Sequence, residues 1–294
     1  MKYMQDAILT PAIFEGVSRI KSVFTLAGER TSTDLLGNNM STVRTVVLDG
    51  LKLVGIPEEQ IENMTDIEIQ RTLQRRDDLN DYIGLDTSVY AMASPKPVAG
   101  ADHVFLSRKN IADLQLDSPN RICADIVHLF VAGYASLIAP ADCPVIDIVD
   151  PNVNGQVSQV HAGWQGILAG AVTKTMEGMI RRGLRPERVL ANVHPNATDG
   201  FELSGEGLER WLAAFNGDFV TVVDDRSYIS MTDAVVAQMQ QYGVKEGRIQ
   251  TSKAYSNDGI DLNSLTDDRF YSHRAKAQKG FNGRNAAVLY LVSD

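Results

Sequence analysis

The sequence predicts an α+β fold, with mixed β-sheets packed against flanking helices in a single principal domain. Three observations predict it. Helix-like and strand-like segments are interleaved with no repeat period. Several strand candidates are short, largely apolar runs that read as buried. A chain of 294 residues with 44% hydrophobic and 22% charged residues can enclose a substantial core.

The elements follow in order. Residues 8–27 read as extended or mixed structure. Ser41 suits the N-cap of a helix running to Val54, with Val43, Val46, Val47, Leu51 and Val54 at near-helical spacing and Gly55 and Pro57 ending it. From Glu58 to about Tyr90 the chain is highly charged, as in Arg75-Arg76-Asp77-Asp78. Solvated helices are expected there, forming an insertion over 58–98 in the N-terminal part of the domain, residues 1–99. Ala93-Ser94-Pro95-Lys96-Pro97 signals a loop. Val104-Phe105-Leu106 reads as a short strand, and Tyr134–Ile138 and Val145–Val149 as two buried strands around a kink at Pro140–Pro144. Ser158-Gln159-Val160 reads as a strand entering His161. Gln165 to Arg182 predicts one helix, with Leu168, Val172, Met176 and Met179 in a stripe and Gly183 and Pro186 as the stop. Val189–Val193, Phe219–Val223 and Asn285–Val292 read as strands; Gly205–Phe215 and Thr232–Tyr242 read as helices.

Composition narrows the function. The net charge is −9 and the basic residues form no dense run, which argues against nucleic acid as a partner. A small anionic substrate stays open, because local arginines can override the global charge. Cys123 and Cys143 are too few for a disulfide framework and fit a cytoplasmic setting. The start, Met1 to Asp6, shows no signal-peptide pattern. The most apolar stretch, Leu129–Ala141, falls short of the ~18 residues a membrane-spanning helix needs, so no membrane association is expected.

Two short segments carry the chemistry: Ala141-Asp142-Cys143-Pro144-Val145 and His161-Ala162-Gly163-Trp164-Gln165-Gly166. They place one of two cysteines eighteen residues from one of five histidines. Asp142 would be costly inside a buried strand, so Cys143 reads as a strand end facing a cavity. His161 precedes a helix start, a setting that favours anions and keeps an imidazole neutral. A thiol facing an imidazole suits a soft-metal site or a nucleophile with its base. A catalytic zinc site needs a third ligand, for which His103, His128, His194 and His273 are the candidates; His128 reads as core, and His103 is the choice from local context. Arg274 and Arg284 flank Gly280-Phe281-Asn282-Gly283, a turn suited to gripping a phosphate or carboxylate.

Together these segments resemble the laccase-domain proteins, called multicopper polyphenol oxidases in older naming and later described as zinc-containing purine nucleoside phosphorylases. The resemblance covers roughly residues 100–294, which it marks as the catalytic core. It rests on Ala124-Asp125, the Cys143 and His161 segments, Phe201-Glu202-Leu203, and Phe270-Tyr271-Ser272-His273-Arg274 with Gly283-Arg284. The family typically has arginine where Gln165 stands. Its early Thr-Arg-x-Gly-Gly-Val-Ser segment survives as Phe24-Thr25-Leu26-Ala27-Gly28, with Arg30 nearby, and a late Cys-Thr pair appears as Ala254-Tyr255.

The resemblance implies metal ligands at Cys143 and His161. The family's Gln-Val-His histidine falls nearest His103, where Ala101-Asp102 replaces Gln-Val. It implies zinc rather than copper: five histidines are too few for a type-1 copper plus a trinuclear cluster, whereas zinc accepts Cys and two His with a fourth position open. The implied activity is phosphorolysis of adenosine or guanosine, with adenosine deamination as a side activity. His103, Cys143 and His161 are then the catalytic metal ligands, Arg274 or Arg284 holds phosphate, and the partners are a purine nucleoside and phosphate. The alternatives are a metal-free Cys143/His161 hydrolase, a polyphenol oxidase, and a non-catalytic descendant.

Overall fold

The computed structural model describes residues 8–28, 36–37, 39–42, 44–85, 92–114, 121–152, 156–254 and 262–292. Met1–Asp6, Arg30, Val43, residues 86–90 of the charged stretch and Tyr255 lie outside these. The strands are β1 (Ile8–Leu9), β2 (Ile20–Thr25), β3 (Met92–Ala93), β4 (His103–Leu106), β5 (Ile126–Leu129), β6 (Tyr134–Ile138), β7 (Val145–Val149), β8 (Val157–His161), β9 (Leu190–Val193), β10 (Phe201–Glu202), β11 (Val220–Val223), β12 (Arg226–Ile229), β13 (Ile249–Gln250) and β14 (Ala287–Leu291). The helices are α1 (Arg44–Leu53), α2 (Glu58–Ile83), α3 (Trp164–Leu168), α4 (Ala171–Ile180), α5 (Gly205–Phe215), α6 (Met231–Gln241) and α7 (Lys276–Lys279).

Three sheets result: β1-β2-β14-β6-β3, β13-β9-β7-β8-β5-β4, and a small β10-β12-β11. The two large ones are mixed. The first is antiparallel except for β3 beside β6, and the second has parallel pairs only at its edges, β4 with β5 and β13 with β9. Alternation along the strands gives the six-stranded sheet two apolar faces. Val127, Leu129, Val149 and Val157 join Val23, Leu137 and Val288 of the other sheet in one core. Ile126, Ile146, Ile148 and Val160 pack instead with α3, α4, α5 and α6 through Ile167, Val172, Met176, Trp211 and Val235. The expected α+β architecture is what forms.

Three details differ from the sequence reading. Tyr134–Ile138 and Val145–Val149 are strands, but they belong to different sheets. The Pro140–Pro144 segment is therefore a crossing between sheets rather than a kink within one. The helix expected over Gln165–Arg182 is two helices, broken at Gly170, whose φ of +81° is a left-handed conformation that ends α3. The charged stretch forms the single long helix α2, and it is not solvated all round: Thr65, Glu68, Thr72, Arg75 and Arg76 are buried on its inner face. Glu68 there pairs with Arg71 and Arg75.

Candidate functional site

Strand register builds the centre of the site. Val145 of β7 lies opposite His161 at the end of β8, and Val160 lies opposite Ile126 at the start of β5. His161 at the end of β8, Asp125 just before β5 and Cys143 just before β7 therefore meet at one edge of the sheet. Asp125 is fully buried, and its Oδ1 lies 2.9 Å from His161 Nδ1. Its two oxygens also accept the backbone N–H groups of Val98, Ala99 and Gly100. Cys143 lies close enough to act on the His161 imidazole as well. Gly163 makes room for the sulfur, since a Cβ there would lie 2.9 Å from Cys143 Sγ. This order of carboxylate, imidazole and thiol leaves the thiol at the cavity.

The electrostatics run against the neutral imidazole expected at a helix N-terminus. Burial pulls His161 down, but Asp125 and Cys143 outweigh it and leave the imidazole raised to about 10. Burial alone would lift the Asp125 carboxyl, yet the His161 imidazole and the Gly100 amide hold it below the usual carboxylate range. A bonded carboxylate beats a helix end here.

Cys143, His161, Arg274 and Arg284 all line one cavity of about 850 Å³, together with Trp164, Phe201 and His273. Asp142 faces it as well, buried and bonded by Ser264 Oγ and the Arg274 amide, both at 2.9 Å. The Arg274 guanidinium lies 4.2 Å over the Phe201 ring. Burial lowers Arg284, while Asp142 and Cys143 pull it back up. Burial, followed by the charges of Arg284 and Lys276, also lowers His273.

His103 does not join them. Its register partner is Ile126, which shares a face with Val160 and Ile146 against the helices. By alternation His103 points to the face of the sheet opposite Asp125 and His161. Its ring packs instead on Phe105 and His128, with centroids at 5.2 and 5.6 Å. The other candidates are also accounted for. His128 is buried and bonded to Ser158 Oγ at 2.7 Å, and His194 is buried against Asp147 Oδ2 at 2.8 Å.

A catalytic zinc ion needs three protein donors around one point. All five histidines and both cysteines are among the described residues, and no group of three or more His, Cys, Asp or Glu side chains there is placed to hold a metal ion. Cys143 and His161 remain as two, and both Asp125 oxygens are already bonded. The expected His103–Cys143–His161 zinc set does not fit this donor geometry.

Four contributors escaped the sequence reading. Asp125 appeared there only as part of a motif, and Arg76, Lys96 and Arg121 not as site residues at all; the last three also line the cavity. Burial pushes Arg76 down to about 9, and the charge of Arg121 adds to it. Burial lowers Arg121 too. Among the described residues none of Arg76, Lys96, Arg121, Arg274 and Arg284 forms an ion pair with a carboxylate.

The family model for multi-copper polyphenol oxidoreductase laccase matches residues 68–292, more than half of the chain. The chain belongs to that family. The laccase-family description implies a metal ion, which the donor set above does not accommodate. A relative from Deinococcus radiodurans named purine nucleoside phosphorylase is 31% identical over 160 residues, 54% of this chain and 58% of that protein. The chain thus spans little more than half the length of that relative. A second purine nucleoside phosphorylase, from Corynebacterium glutamicum, is 23% identical over 76% of this chain and 83% of its own. The crystal structure of the Bacillus licheniformis hypothetical protein YfiH superposes with a TM-score of 0.73 at 16% identity, covering 97% of this chain and 96% of that one, which shows a shared fold. No helix among the described residues is long and apolar enough to cross a membrane.

Proposed function

We propose that this laccase-family protein is a purine nucleoside phosphorylase-like enzyme acting on a small-molecule nucleoside and phosphate. In that reaction a phosphate oxygen bonds to the ribosyl C1′ as the bond from C1′ to the purine nitrogen breaks. Ribose 1-phosphate forms, and the base leaves with the electron pair and takes up a proton. The ribosyl group becomes cationic in passing, so groups that pin phosphate and nucleoside together speed the step. The supporting observation is the composition of the cavity. Arg274 and Arg284 offer cationic donors to the substrates, Trp164 offers an aromatic face for a purine, and Cys143 and His161 line the same cavity. The relatives named purine nucleoside phosphorylase support the same reading. Adenosine or guanosine is the expected substrate, and the two unpaired cysteines support a cytoplasmic setting.

The test is incubation of purified protein with adenosine, guanosine or inosine and phosphate, read as free base and ribose 1-phosphate. Release of base that requires phosphate supports the reading, and no product from any of the three overturns it. Zinc is not assigned a step here, because the donors fall short. One equivalent of zinc in the purified protein, lost on Cys143→Ser, would restore it.

One observation favours a second reading. Asp125, His161 and Cys143 are ordered as orienting carboxylate, base and nucleophile, the arrangement of a thiol hydrolase. Cys143 Sγ, its proton already on the His161 imidazole, would attack an ester or amide carbonyl, and the imidazolium would give that proton to the leaving group. Ester turnover that persists in chelator and disappears in Cys143→Ala would select this reading over phosphorolysis.

A further inference from the structure

Resting on the phosphorolysis reading, which calls for a phosphate ligand, we propose that Arg76 and Arg121, with Lys96 beside them, form a preformed subsite for a phosphate dianion in the wall that the Cys143 and His161 motifs do not build.

The two guanidiniums are anchored on one edge. Arg76 donates from Nε to the Met40 carbonyl at 3.1 Å, and from Nη2 to the same oxygen. Arg121 donates from Nε to the Ser94 carbonyl at 2.6 Å, and from Nη2 to Ser94 Oγ and the Pro95 carbonyl, both at 3.1 Å. A guanidinium carries five N–H donors. In both arginines Nη1 has no hydrogen-bond partner among the described residues. A guanidinium fixed along one edge and open on the other presents the planar fork that recognises phosphate bidentately.

The charges point the same way. Every anchor is neutral: carbonyls and one hydroxyl. Arg76 is buried at 8% exposure, and the like charge of Arg121 adds to the cost of that burial. Buried cations without a counterion are costly, and bringing two together compounds the cost. Lys96, exposed at the same cavity, adds a third positive group. One carboxylate would leave two of those three charges standing, whereas a tetrahedral dianion offsets two of them and offers oxygens to both guanidiniums. Asp142, the one carboxylate lining the cavity among the described residues, is taken by Ser264 and the Arg274 amide. Asp142, Cys143 and Asp49 offset the burial of Arg284, whereas no acidic group does so for Arg76. The dianion could be free phosphate or the phosphate group of a nucleotide; the chemistry that binds it is the same.

The experiment is calorimetric titration of the full chain in chloride buffer with inorganic phosphate, adenosine 5′-monophosphate and adenosine, repeated on Arg76→Gln and Arg121→Gln. Each variant is expected to weaken the occupant of the subsite by about tenfold or more, the loss of one charge-assisted pair. Weakening confined to inorganic phosphate identifies free phosphate as the occupant. Weakening of the monophosphate, with adenosine unchanged, identifies a phosphate carried by the ligand. Wild-type affinity for both in both variants overturns the proposal, as does a wild-type protein that binds neither. Arg121 is only partly buried, so Arg121→Lys serves if Arg76→Gln does not fold. It keeps the charge, loses the fork, and is expected to weaken phosphate severalfold. Turnover is measured separately. Phosphate binding that depends on both arginines with no base released keeps the subsite and removes phosphorolysis. Base release with binding indifferent to both arginines does the reverse.

Discussion

Two sides of one cavity hold their charges differently. Around Cys143, a carboxylate, an imidazole and a thiol satisfy one another, and three backbone amides complete the set. Elsewhere in the lining Arg76 and Arg121 lean on carbonyls and pair with no carboxylate among the described residues. The first side is complete within the protein and derives its precision from strand register. The second is complete only with a ligand. Removing a group should therefore cost folding stability on the first side and affinity on the second.

The largest effect is expected from Asp125→Ala. It strands the amides of residues 98–100 and a buried imidazole together, for a loss of about 3–5 kcal/mol in urea unfolding. Next is pH. His161 is raised to about 10 from 6.5, so its contribution is complete below pH 6.5 and is lost as pH rises toward 10. Asp125 is lowered from 3.8, so its contribution is present above that value and is lost as pH falls through the lower folded one. Urea midpoints should form a plateau between these limits, with an alkaline decline on the order of a few kcal/mol that His161→Gln abolishes. Gly163→Ala comes third. Its backbone is unstrained at φ −62°, but the new Cβ meets the sulfur, and about 1–3 kcal/mol is expected along with displacement of the thiol. Lys96→Ala should move unfolding least, within about 0.5 kcal/mol, while still weakening phosphate. A Lys96→Ala loss as large as that of Asp125→Ala would erase the distinction between the two sides.

What the sequence disclosed divides along the same line. β6 and β7 were legible at their true bounds because each is a short run apolar but for one residue, Ser136 or Asp147, and α5 because its apolar positions repeat at helical spacing. Cys143 and His161 were legible as a pair of scarce reactive residues in compact motifs. His103 was misread because the face a strand residue occupies depends on its partner strand, and a one-residue difference in register reverses it. The break at Gly170 was hidden because the Leu168–Met179 stripe continues through it. Arg76, Lys96 and Arg121 come from a helix, a loop and a segment ahead of β5, so no spacing along the chain links them. The polar inner face of α2 disguised a docked helix as a solvated one, since period-based reading looks for apolar stripes.

Cys143 rides on the short bridge that leaves one large sheet at β6 and enters the other at β7. The sulfur is thereby a gauge of how the two sheets are spaced. Volume changes in the layer between them, at Val127 or Leu137 for instance, should register as altered rates of thiol alkylation even where nothing near the sulfur has been touched.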